Sequence, residues 1–180
     1  MMGRRWALVG GLFVLLAAIL GAAFLRTRSA DQPAALPQGE PGPSSSFEMF
    51  DGSTATLADY RGRPVVVNFW ASWCPPCVAE MPEFERVHQE LGDQVAFLGI
   101  NTQDVPPAGS PEAAMRLVEQ TGVSYDLAWD PAGELFQAFG VFGMPSTFFV
   151  SPEGEIVGRY TGLLTADLLR REIERLLSPA

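Results

Sequence analysis

Val65-Val66-Val67-Asn68-Phe69-Trp70 is a near-continuous apolar run that begins just after Pro64 and ends with three residues left before Cys74. Such a run predicts a strand buried on both faces, so the chain must place a layer of structure on each side of it. Immediately beyond, Val78, Met81, Phe84, Val87 and Leu91 recur three or four residues apart. That period predicts a helix over Pro75–Leu91, with Pro75 at its first position and a kink at Pro82. A buried strand running into an amphipathic helix is the unit of a layered α/β fold.

The remaining elements follow from the same patterns. Phe47–Phe50 and Thr54–Leu57 alternate around Asp51-Gly52 and predict a hairpin. Val95–Ile100 predicts a second buried strand. Pro111–Gln120 predicts a helix, Tyr125–Trp129 a strand and Ala132–Phe139 a short helix. Thr147–Val150 and Glu155–Tyr160 predict a hairpin around Pro152-Glu153-Gly154, and Thr165 is placed to cap a final helix, Ala166–Leu177.

Upstream of this lies Trp6–Leu25, 20 residues without a charge. As a helix it would measure about 30 Å, the thickness of a bilayer's hydrocarbon core. It exceeds the usual apolar length of a cleaved signal peptide, and Phe24, Leu25 and Arg26 stand where a small-residue cleavage site would be. Residues 1–28 are therefore expected to be a transmembrane anchor. Arg4, Arg5 and the amino terminus outweigh Arg26 and Arg28, which favours a cytoplasmic N-terminal side and a globular part outside. Residues 29–46, rich in Pro, Ser and Gly, are expected to be a linker, leaving 47–180 as the folded domain.

Charge and composition exclude several functions. All 12 basic residues are Arg, so no mechanism that needs a lysine is open to this chain. Beyond the anchor, 8 Arg face 21 Asp and Glu, a net −13, and a surface so acidic repels nucleic acid. The 47% apolar content supports a real core rather than disorder.

Cys74 and Cys77 are the chain's two cysteines, in Trp73-Cys74-Pro75-Pro76-Cys77 at the junction of strand and helix. A helix start supplies dipole and free N–H groups that stabilise a thiolate. Two intervening residues bring both sulfurs within bonding range, so one can attack and the other resolve. A stapling disulfide is the alternative, but so small a ring removes little unfolded-state entropy. Half of a zinc site is another, but two more ligands would have to come from non-cysteine residues. Glu80 lies three residues after Cys77, on the same side of the helix, either as a carboxylate near the thiols or as a solvated glutamate. Trp73 belongs either to a contact rim or to the core, and His88 is expected at the surface.

Asn68-Phe69-Trp70-Ala71-Ser72-Trp73-Cys74-Pro75-Pro76-Cys77, Glu80-Met81-Pro82 and Gly143-Met144-Pro145-Ser146-Thr147-Phe148 together resemble the thioredoxin superfamily, and within it the TlpA/ResA/DsbE type of membrane-anchored thiol–disulfide oxidoreductase. The resemblance spans about Phe47 to Leu177. It implies a thioredoxin-like fold, a central mixed sheet flanked by helices, with an N-terminal hairpin and a helix–strand insert near Pro111–Trp129. It implies that Cys74 is the exposed nucleophile, Cys77 the buried resolving thiol and Glu80 a carboxylate that tunes them. Pro145 would be a cis-proline, the alternative being an ordinary proline at the start of a strand. Met144 would offer its backbone to a substrate strand, with Trp73 at the rim. Thioredoxins proper carry an Asp where this chain has Asn68, with a lysine nearby; both are replaced here.

By resemblance the activity is a mainly reducing dithiol–disulfide exchange without cofactor or metal, by a monomer. Its partners would be oxidised extracytoplasmic proteins, such as the CxxCH segment of an apocytochrome c, and a membrane thiol carrier that re-reduces it. A metal chaperone, a redox sensor and a disulfide-donating oxidant of the same fold are the alternatives. Copper-delivery relatives use CxxxC with a distant histidine, and peroxidase relatives a Thr-x-x-Cys setting; Ala71 stands where that Thr would be.

Overall fold

The computed structural model describes residues 40–102 and 108–178. The expected anchor over Trp6–Leu25 and most of the expected linker lie outside the described residues. No helix among the described residues is long and apolar enough to cross a membrane.

Among the described residues, eight strands form one mixed sheet: β1 (Glu40–Pro41), β2 (Phe47–Met49), β3 (Thr54–Ala55), β4 (Val65–Trp70), β5 (Ala96–Thr102), β6 (Asp126–Asp130), β7 (Ser146–Val150) and β8 (Glu155–Thr161). Their order is β1-β8-β7-β4-β5-β6-β2-β3. Helices α1 (Pro75–Leu91), α2 (Pro111–Thr121), α3 (Glu134–Ala138) and α4 (Ala166–Leu177) connect and cover them. β4 pairs parallel with β5 and antiparallel with β7, so it sits at the centre, and every residue in it is buried.

Strand alternation divides the core in two. Val66 and Trp70 point to the face covered by α1 and α4, where they meet Met81, Phe84, Val87, Leu169 and Ile173. Val65, Val67 and Phe69 point the other way, to Leu135, Phe139 and Phe148. Asn68 shares the face of Val66 and Trp70, the one that receives α1.

The helix boundaries have local causes. α1 begins with Cys74 as its N-cap and Pro75 at the first position, where the missing N–H has no helical partner to lose. Pro82 lies within α1, which runs on to Leu91 without ending there. Ser110 Oγ accepts from Ala113 N–H at 3.2 Å to start α2, and Gly122, at φ +68°, closes it in the left-handed region that favours glycine. Thr165 caps α4 as expected, accepting from Leu168 N–H at 3.4 Å.

Several element ends shift by one or two residues from expectation, and three differences have a clear local cause. Glu40–Pro41 pair with β8, and Gly42 N–H donates to Gly154 O at 3.0 Å, so the linker expected over 29–46 gives its last residues to the sheet edge. The second strand of the first hairpin is two residues long, because Leu57–Tyr60 form a 3-10 turn in which the Asp59 carboxylate accepts from Thr56 N–H at 2.7 Å. α3 starts at Glu134 rather than Ala132, because the buried Asp130 carboxylate accepts from Leu135 and Phe136 N–H and fixes the first turn there. His88, expected at the surface, is half-buried instead, its ring edge-on to Phe97 and Tyr125.

Candidate active site

β4 ends at Trp70, and the chain turns through Ala71, Ser72 and Trp73 to deliver Cys74 to the N-terminus of α1. Cys74 and Cys77 are joined, with S–S 2.03 Å and Cα–Cα 5.3 Å. Cys77 N–H points back at Cys74 Sγ, 3.3 Å away. The helix start thus aims a donor at the sulfur that would carry negative charge on reduction.

The Cys74 sulfur is less open than expected. In the disulfide form Cys74 is 4% exposed and Cys77 fully buried, because the bond to Cys77 and the surrounding walls cover it. It opens on a groove of about 390 Å³ whose other walls are Trp73, Pro75, Pro76, Phe136, Gly143 and Met144. Trp73 is 40% exposed and lines this groove rather than the core. Phe136, from α3, is a wall of the groove that the short helix expected over Ala132–Phe139 did not single out.

Met144 and Pro145 reach the site from the loop before β7. The Met144–Pro145 peptide bond is cis. Pro145 is buried and its carbonyl accepts from Gly162 N–H at 2.9 Å, while Ser146 Oγ donates to Gly143 O at 2.7 Å. The first bond ties the loop to the end of β8 and the second holds its own turn, with Met144 left on the groove.

Glu80 lies behind the disulfide, three residues along α1 from Cys77, and is fully buried. Its Oε1 accepts from Asn68 Nδ2 at 2.7 Å and its Oε2 from Leu164 N–H at 3.0 Å. Burial pushes its pKa up to about 7, against the opposing pull of the Leu164 and Asn68 hydrogen bonds. The solvated-glutamate alternative is therefore wrong for this residue. Asn68 and the Leu164 backbone are members of the site that spacing along one helix does not reveal. Among the described residues, no three His, Cys, Asp or Glu side chains gather as metal ligands.

A Cys-x-x-Cys disulfide at a helix start after the central strand of such a sheet, sharing a groove with a cis-proline loop, defines a thioredoxin-like thiol–disulfide exchange protein. The AhpC/TSA family matches residues 39–159. The thiol–disulfide oxidoreductase ResA of Halalkalibacterium halodurans is 31% identical over 95% of this chain and 94% of its own. The thiol:disulfide interchange protein HelX of Rhodobacter capsulatus is 33% identical over 92% of each. The crystal structure of a DsbF homologue from Corynebacterium diphtheriae superposes with a TM-score of 0.69 at 27% identity, covering 77% of this chain and 88% of that one. The chain belongs to the thioredoxin-like AhpC/TSA family and is a thiol–disulfide oxidoreductase.

Proposed function

We propose that the protein is a membrane-anchored reductant of protein disulfides that works outside the cytoplasm. One observation carries the exchange chemistry in this reading: a helix-start disulfide with an apolar groove on its Cys74 side and a buried carboxylate one turn beyond Cys77. In the reduced protein the Cys74 thiolate attacks a substrate disulfide. A Cys74–substrate S–S bond forms, the substrate S–S bond breaks, and the first substrate thiolate leaves to take a proton from solvent. Cys77 then gives its proton to Glu80 and attacks Cys74 Sγ, closing the 74–77 disulfide and releasing the second substrate thiolate. Two electrons pass from the dithiol to the substrate. A carboxylate poised near pH 7 suits the transfer, since its proton affinity matches the working range.

Trp73, Met144 and Pro145 form the cradle for an extended substrate segment. Residues 1–28 anchor the chain, and the stretch between them and β1 tethers a monomeric catalytic domain. The resemblance to the TlpA/ResA/DsbE type supports oxidised extracytoplasmic proteins as substrates, including the CxxCH segment of apocytochrome c during cytochrome c maturation. It also supports a membrane thiol carrier as the source of reducing equivalents.

The test is a pair of variants of the full chain. Cys74→Ser should abolish reduction of a peptide disulfide, and Cys77→Ser should accumulate a mixed disulfide with substrate through Cys74. Preferential alkylation of Cys77 in the reduced wild-type protein, or wild-type turnover by Cys77→Ser, would reverse the assignment of roles.

A further inference from the structure

The register of β4 against β7 sets Asn68 opposite Thr147, and both are buried. Asn68 Nδ2 carries two hydrogens. The geometry directs one to Glu80 Oε1 at 2.7 Å and the other to Thr147 Oγ1 at 3.2 Å. Glu80 Oε2 faces Leu164 N–H. Both carboxyl oxygens therefore meet N–H donors held in place by the sheet and by the loop before α4. An ionised carboxylate is an acceptor at both oxygens, whereas a proton on Oε1 would point at an amide hydrogen. An Asp at position 68 would set a second carboxylate against the first, and two such groups cannot both ionise.

We propose that Asn68 is a positioning residue that holds Glu80 in its proton-accepting form, with Thr147 fixing which way round the amide stands. This rests on the reading of Glu80 as proton acceptor for Cys77. The other groups that bear on Glu80 leave the amide this task. On its own helix the nearby titratable group is Cys77, the proton donor. Leading into β6, buried Tyr125 feels the charge of Glu80, but burial holds its hydroxyl neutral far above physiological pH. From β7 comes the Thr147 hydroxyl, and from the loop before α4 a backbone N–H.

The experiment follows the resolving step in the full chain. Reduced protein mixed with the aromatic disulfide dithiobis-nitrobenzoate first loads Cys74, and Cys77 then expels the coloured thiolate. The rate of that second phase is measured against pH. Asn68→Leu keeps the branched outline of the side chain and removes both N–H donors, and should move the pH midpoint up by about one unit, about tenfold in rate below it. Thr147→Val should move it the same way by less. In a Glu80→Gln background Asn68→Leu should add no further shift, because the two act as one unit. In wild-type protein the Asn68 side-chain amide signals in ¹⁵N NMR should titrate with the same midpoint as the Glu80 carboxyl carbon. That readout stands even if Asn68→Leu does not fold. A wild-type profile in folded Asn68→Leu while Glu80→Gln changes it, or Asn68 signals indifferent to Glu80, would overturn the role of Asn68 alone. No change in the profile of Glu80→Gln would instead remove the acceptor reading on which it rests.

Discussion

The two faces of the sheet are built from the same strands but by different rules. On one face Phe69 packs edge-on against Phe136, Phe139 and Phe148, with ring centroids 5.1 to 6.2 Å apart, and no hydrogen bond is needed. On the other, β4 and β7 present Asn68 and Thr147 among apolar neighbours, and α1 lowers Glu80 onto them. The aromatic cluster around Phe69 stabilises by area and shape, and none of its rings titrates. A face that buries the Glu80 carboxyl has a free energy that depends on its proton. The fold thus separates the rigid platform from the layer that carries the chemistry, across the thickness of a single strand.

Breaking the aromatic face should give the largest effect. Phe69→Ala deletes a fully buried ring and should cost about 3–5 kcal/mol of stability. The loss should be equal at pH 5 and pH 8, as read by denaturant unfolding of the oxidised protein. A loss that varies with pH would mean that the two faces are not separable.

The opposite face should behave in the opposite way. Glu80 has its proton affinity raised in the folded state, from 4.5 to about 7. The folded protein therefore binds more protons than the unfolded chain between those values, and stability must fall as pH rises through that window. Below about pH 4.5 the group costs nothing through its charge; above about pH 7 the full penalty, roughly 3 kcal/mol, is in place. Glu80→Gln should remove this slope, so the variant gains on the wild type from pH 5 to pH 8. Parallel stability curves for the two proteins would place Glu80 in an environment where it ionises as in water.

The contrast between the faces also marks what could be read from the sequence. The apolar run at β4, the helical spacing of α1 and the turn residues of the last hairpin carry their periods in plain view, so the α/β layering and the place of Cys74 and Cys77 were legible. β1 was not, because Glu40–Pro41 sit in a Pro, Gly and Ser tract with no alternation, and only the edge of β8 makes them a strand. Glu80 could be placed beside Cys77 by helix spacing, but its burial depends on partners 12 and 84 residues away, Asn68 and Leu164. Asn68 itself read as a departure from thioredoxins, when its amide is the donor that a buried glutamate requires. His88 misled for the same reason: its helix neighbours are charged, while its ring contacts come from β5 and from the start of the β6 segment.

Proton exchange between Glu80 and the dithiol is the central step. The most direct measurement is the alkylation rate of the thiols against pH in wild type and Glu80→Gln, paired with single-turnover reduction of a peptide disulfide. Removing the charge should lower the pKa of at least one thiol, because a nearby carboxylate disfavours a thiolate, and reduction should slow because Cys77 has lost its acceptor. Identical titration curves and identical reduction rates in the two proteins would contradict it.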